Sequence, residues 1–297
     1  MRATAYLVLA ASLFLWAGNW VVARGVRDDI SPAIATFSRQ LIVVALLLPF
    51  IFGSLFRKLK SIERKGWTTL AFLALFGGGV HLTLQWLGLH TTTATSGTLY
   101  LSISPIFILL LAGPLLGEPI GARQWIGVGV SFVGVFFIAT QGNPASLSFN
   151  VGDVLALLSM LMWGAYTVFL RLRSDPLDTP EFLVVLCLLG ILWNAPWVGF
   201  EIAQGLQPRL GAVGAGAVAY SAVGSMLLAY AGWNYAVSRL GAARAGVTMH
   251  LTPAFGVLLA ALFLAEYPAW YHFAGIALIV AGVALSSARA SSAASSR

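Results

Sequence analysis

The chain repeats itself about halfway along, and the repeat lies inside segments too apolar for water. Trp16 recurs as Trp163, Arg24 as Arg171 and Trp86 as Trp233, each displaced by 147 positions. One extra residue then shifts the offset to 148, at which Pro105 recurs as Pro253, Glu118 as Glu266, Gly127 as Gly275 and Gly134 as Gly282. Apolar runs mark ten spans, at roughly 4–24, 31–53, 66–89, 93–116, 121–140, 152–172, 179–200, 212–237, 241–265 and 268–288. At about 1.5 Å rise per residue, each is long enough to cross a ~30 Å hydrocarbon layer. The runs are apolar on nearly every face, whereas barrel strands alternate, so helices are expected. Five spans per unit is an odd number, so the second unit must enter the bilayer from the opposite side. The expected fold is an all-α membrane protein of ten transmembrane helices in two inverted five-helix repeats, 1–141 and 150–288. The Ser/Ala-rich residues 289–297 read as a disordered cytoplasmic tail.

Of 297 residues, 59% are hydrophobic and 9% charged, against roughly 25% charged in soluble domains. Such a chain cannot cover itself with polar surface, so the lipid bilayer is its main solvent. The first span has the composition of a secretion signal, yet it has a counterpart at 152–172 and no clear cleavage site, so it reads as a retained span. The net charge of +7 is explained by topology rather than by nucleic acid. With both termini in the cytosol, 13 basic residues face inward, Arg24, Arg27 and Arg209 face outward, and Arg39 stays inside a span. That asymmetry orients the chain in a cell inner membrane, and the inner cations suit anionic lipid. The one cysteine, Cys187, allows no intrachain disulfide and no thiolate metal site. No cofactor is expected.

Two spans carry proline near the middle. Pro105 and Pro253 each lack an N–H and crowd the carbonyl four residues earlier, which predicts kinks. These shape the bundle or line a central cavity; both readings are open. Gly127, Gly134, Gly275 and Gly282 place small residues seven apart on the fifth and tenth spans, a packing seam.

All ten acidic residues fall at span ends or in loops. Proton-coupled carriers usually keep a carboxylate or histidine at depth, and sites for organic cations usually keep a carboxylate, so a multidrug cation exporter is disfavoured. The polar groups at depth are few. Trp16 and Asn19 share a face of the first span with Ser12, His81 and Gln85 share one in the third, and Tyr100 and Ser104 one in the fourth. Tyr166 and His250 add groups in the sixth and ninth. Each alone reads as interhelical glue as well as a ligand contact; together they suggest a polar cavity. Trp16 and Trp163 are repeat-related and deep, so they form an aromatic pocket if they face each other. Trp86, Trp197 and Trp233, near span ends, read as interface anchors. Arg39, ~10 Å into the second span, costs roughly 2.5–3.5 kcal/mol on insertion scales and needs a partner. A substrate carboxylate, the outer headgroups or a helix C-terminus would each serve.

With ten spans in two repeats, Trp16-Ala17-Gly18-Asn19, Arg39, and the helix ends Leu116-Gly117-Glu118-Pro119 and Leu264-Ala265-Glu266-Tyr267-Pro268, the chain resembles the drug/metabolite transporter superfamily in its EamA-type branch. The resemblance covers the chain to about residue 288. Within that family it is similar to the bacterial aromatic amino acid exporters. The resemblance implies a carrier working by alternating access through a cavity between the halves. The expected substrate is a small molecule, an amino acid with an aromatic or large apolar side chain, and the expected state is a monomer. Export of another metabolite or a drug is the alternative. An intramembrane enzyme is disfavoured, because no His-Glu-x-x-His, Gly-x-Ser-x-Gly or paired deep carboxylates appear.

Overall fold

The computed structural model describes residues 2–26, 29–91, 103–146, 150–206, 211–263 and 268–287. The tail, Tyr100 and Glu266 lie outside them. Regular structure among the described residues is entirely helical: α1 (Arg2–Gly25), α2 (Pro32–Leu59), α3 (Arg64–Leu73), α4 (Val80–Thr91), α5 (Ser104–Leu116), α6 (Ala122–Ala139), α7 (Val151–Phe169), α8 (Thr179–Ala203), α9 (Ala212–Tyr220), α10 (Tyr230–Leu240), α11 (Ala242–Thr248), α12 (Leu251–Phe263) and α13 (Trp270–Ser287). Two wide π-helical segments complete the third span of each half, Ala74–Gly78 between α3 and α4, and Ser221–Ala229 between α9 and α10. Seven of the resulting helical stretches are long and apolar enough to cross a membrane, and three more, Ala3–Asn19, Ser104–Leu116 and Trp270–Ser286, are apolar but shorter. Phe50, Leu262 and Phe263 stand exposed on the outside, as lipid-facing side chains do.

Pro253 sits differently from the expected mid-helix kink, and the residues that would show one at Pro105 lie outside those described. Pro105 falls in the first turn of α5, and Pro253 is the third residue of α12. A first-turn proline needs no N–H donor, so at Pro253 the chain resolves the clash by ending α11 and starting α12. At residue 253 the break runs from Thr248 to Leu251, and the freed Met249 carbonyl accepts from Thr252 N at 2.9 Å. Pro49 and Pro196, themselves 147 apart, are the prolines inside α2 and α8.

Packing is reciprocal between the halves. α1 packs on the π segment Ser221–Ala229, on α10 and on α12; α7 packs on the π segment Ala74–Gly78, on α4 and on α5. α2 pairs with α8, and α6 with α13. The last pair is the glycine seam. A Cβ on Gly134 would lie 2.5 Å from Gly275 O, and one on Gly127 2.5 Å from Gly282 O. The backbones therefore touch, and only hydrogen fits between them.

α2 and α8 run antiparallel and are tied at both ends. Lys58 Nζ meets Asp178 at 2.7 Å and Glu181 at 2.8 Å. At the other end Glu201, closing α8, accepts from Ser31 Oγ at 2.6 Å, Ala33 N at 3.0 Å and Ile34 N at 3.1 Å. These are α2's orphan first-turn donors, and a carboxylate there also suits the helix dipole. Glu118 plays the same part elsewhere. α5 ends on Gly117, whose φ of +63° is the left-handed cap that glycine adopts freely. That turn sends Glu118 across to accept from Ala242 N and Ala243 N, both at 3.0 Å, at the start of α11.

Candidate functional site

The two repeat-related tryptophans meet at the centre of the molecule. Trp16 and Trp163 lie edge to face, with ring centroids 5.1 Å apart and planes at 87°. Tyr166 stacks on Trp163 at 5.0 Å, and Tyr230 and Trp233 close the cluster at 5.5 and 5.7 Å from Trp163. These are the separations at which aromatic quadrupoles attract. Beside the cluster lies a cavity of about 70 Å³. At roughly 10–15 Å³ per enclosed water, it has room for a handful of waters.

Four polar residues of the first half line it, Asn19, Arg39, His81 and Gln85, with Trp16 and Leu82 beside them. The second half contributes Met160, Trp163, Ser225, Tyr230, Met249 and Thr252. His81 Nδ1 lies 2.8 Å from Ser159 O and 2.9 Å from Ser159 Oγ. A proton on Nδ1 donated to that carbonyl leaves Nε2 as an acceptor. Asn19 Oδ1 accepts from Ser221 Oγ at 2.7 Å. Arg39 is only 4% exposed, and its Nε and Nη2 have no hydrogen-bond partner among the described residues. It neither reaches outward to the headgroups nor ties a helix end. Thr252 Oγ1 is likewise buried and unpartnered. Buried polar groups without partners are rare and call for an occupant.

The π segments hold this site in place. Where they interrupt the helices, side chains from other spans take their carbonyls. Tyr230 Oη donates to Gly77 O at 2.6 Å, and Trp16 Nε1 donates to Ser225 O at 3.1 Å. Gln40 Nε2 donates to Gly78 O, which also accepts from Asn194 Nδ2 at 3.3 Å. Asn194 further donates to Gln40 Oε1 at 3.2 Å and accepts from Thr83 Oγ1 at 2.7 Å. Gln40 and Asn194 are fully buried, so this network locks α2, α4 and α8 to the first π segment.

Of the residues singled out by sequence, Trp16, Asn19, Arg39, His81, Gln85 and Trp163 come together on the cavity. Three others stand behind it. Tyr166 stacks on the back of Trp163 and donates to Asn234 Oδ1 at 2.8 Å. Ser104 donates to Met249 Sδ at 3.4 Å, a sulfur that also takes Trp163 Nε1 at 3.1 Å. His250 occupies the break before Pro253, which turns its ring to Ser131 of α6 and away from the cavity. Pro105 and Pro253 do not line it either. Trp233, expected at the interface, is fully buried in the aromatic cluster, because α10 continues to Leu240 and leaves it well inside the span. Tyr230, Met160 and Met249 were missed; each looks in sequence like any other core residue.

The comparisons agree on what kind of molecule this is. The model of the EamA-like transporter family matches residues 3–140 and again 150–288. An uncharacterized transporter of Archaeoglobus fulgidus is 28% identical, covering 97% of this chain and 99% of its own. A protein of Streptantibioticus cattleyicolor, described as a probable terminal-alkyne amino-acid exporter, is 26% identical over 93% of this chain and 91% of its own. A solved crystal structure superposes with a TM-score of 0.78 at 20% identity, covering 96% of each chain, and so shares the fold. With two copies of the family's unit, apolar membrane-spanning helices and relatives matched end to end, the chain is a multi-pass membrane protein belonging to the EamA-like transporter family.

Proposed function

We propose that the protein is a secondary transporter of the cytoplasmic membrane that exports amino acids, favouring aromatic or large apolar side chains. The observation that carries this reading is the Trp16–Trp163 pair, two copies of one repeat position meeting at 5.1 Å beside a cavity that Asn19, Arg39, His81 and Gln85 also line. Aromatic rings and polar groups on one cavity fit a solute with an apolar side chain and a polar head. The name borne by the Streptantibioticus cattleyicolor relative supports an amino acid as the cargo.

The mechanism is alternating access. The antiparallel run of α2 against α8, and of α6 against α13, supports two halves, 1–141 and 150–288, inserted in opposite directions. The 13 basic residues assigned to one side support cytoplasmic termini. Rocking of one half against the other opens the cavity first to the cytosol and then outward. Trp16, Asn19, Arg39, His81, Gln85 and Trp163 contact the substrate, while Tyr166, Ser104 and His250 brace that shell. No carboxylate lines the cavity among the described residues, so the carrier runs down the metabolite gradient as a facilitator. It works as a monomer in the bilayer, with a small molecule as its partner, and needs neither cofactor nor nucleic acid.

A second reading, export of a neutral metabolite or drug on the same scaffold, draws on the soft wall of Met160 and Met249. A growth panel separates the two. Cells expressing the protein are expected to tolerate toxic phenylalanine and tryptophan analogues better than cells without it, and to gain nothing against dyes. Tolerance to the dyes alone selects the second reading.

A further inference from the structure

We infer that Arg39 is the anchor for a substrate carboxylate, so that the cavity accepts acids lying with the head toward α2 and α4 and the tail toward the second half. The inference rests on the transport reading above and names the chemistry that its site selects.

Three observations carry it. First, the two unpartnered nitrogens of Arg39 are Nε and Nη2, which lie on the same edge of the guanidinium. That edge is a two-pronged donor whose spacing matches the two oxygens of one carboxylate. Second, no protein anion among the described residues answers it: the cavity lining holds no Asp or Glu. Glu118, Glu181 and Glu201 are engaged at helix ends. A cation held in a membrane interior without a counter-charge marks a place where one is brought in.

Third, the repeat breaks at this position. The second-half counterpart of Arg39 is Leu186, that of His81 is Leu228 and that of Gln85 is Gly232, whereas Trp16 is matched by Trp163. The aromatic element therefore belongs to the shared scaffold, whereas the cation with His81 and Gln85 beside it stands in one half only. A symmetric pocket would take a substrate in either orientation. This one gives it a single orientation.

The test uses the purified full chain in nanodiscs, with intrinsic tryptophan fluorescence as the readout and three probes of one shape: phenylalanine, 3-phenylpropionate and phenylalaninamide. Both acids are expected to bind, and the amide about 30-fold more weakly or worse, the usual scale for removing one partner of a buried charged pair. In Arg39→Met the preference for acid over amide is expected to vanish. The melting temperature of the unliganded variant is expected to hold or rise, because an apolar side chain replaces a buried charge that nothing pairs. Arg39→Lys, which keeps the charge and loses the fork, is expected to fall between. Equal binding of acid and amide by the unaltered protein overturns the anchor without any variant. So does failure of both acids to bind, or an Arg39→Met protein that still prefers acid. Tight Arg39-dependent binding without transport would leave the anchor standing and sink the export reading; transport of acid and amide alike does the reverse.

Discussion

Trp163→Ala is expected to cut export of an aromatic amino acid by about 30-fold or more, the scale found when a central aromatic anchor is removed from a binding site. Trp163 is the ring on which the site is assembled. It meets Trp16, Tyr166, Tyr230, Trp233 and His81 with centroids between 5.0 and 5.7 Å, and its indole N–H reaches the Met249 sulfur. Removing it deletes the face offered to the substrate and leaves a void into which Tyr230 and His81 can fall. Truncation of a buried tryptophan also costs roughly 3–5 kcal/mol of stability, so rates must be normalised to protein inserted in the membrane. Trp163→Phe keeps a ring at the position and is expected to retain most activity. Unchanged efflux from the alanine variant would reduce Trp163 to a packing residue.

The second large effect is on stability. Asn194→Leu is expected to destabilise the fold by about 2–4 kcal/mol, read as a lower midpoint of thermal unfolding in detergent. Asn194 makes three hydrogen bonds at the interrupted third span, to Thr83, Gln40 and the Gly78 carbonyl. Leucine has the same number and branching of side-chain heavy atoms and is no smaller, so no cavity explains the loss. The cost comes from stranding Thr83 Oγ1 and Gln40 Oε1, at ~1–3 kcal/mol for each buried group left unpaired. A midpoint unmoved by this change would show that the network does not hold the π segment. Asn194 lies off the cavity, and its repeat counterpart is Leu47 of the first half, so the π segment Ser221–Ala229 manages without an equivalent.

How much of this was legible in the sequence depends on the range of the interaction. The spans, the repeat and the glycine seam are local or periodic signals, and Gly134 against Gly275 could be read because small residues spaced by seven have few other uses in lipid. Six cavity residues were found because a polar or paired aromatic group in an apolar run must point inward. The π segments were not legible. Their composition is that of any apolar helix, and the run Gly77-Gly78-Gly79 was the only hint. An extra residue in a helix turns everything beyond it by about 100°, which is how Tyr230 and Trp233 come to face the centre. His250 and Pro253 failed for a related reason: a proline can end a helix as well as bend it, and the break re-aims the histidine before it. Glu118 was rightly seen as a helix-end group, but the helix whose N-terminus it caps is α11, over 120 residues on, which only tertiary contact reveals.

Counterflow in proteoliposomes addresses the central claim, that the cavity between the two halves carries an amino acid across the membrane. Vesicles loaded with unlabelled phenylalanine are expected to take up labelled phenylalanine faster than empty ones, saturably, without a pH gradient, and with the acceleration lost in Trp163→Ala. Uptake indifferent to the internal load, flux that never saturates, or strict dependence on an imposed proton gradient would contradict the account.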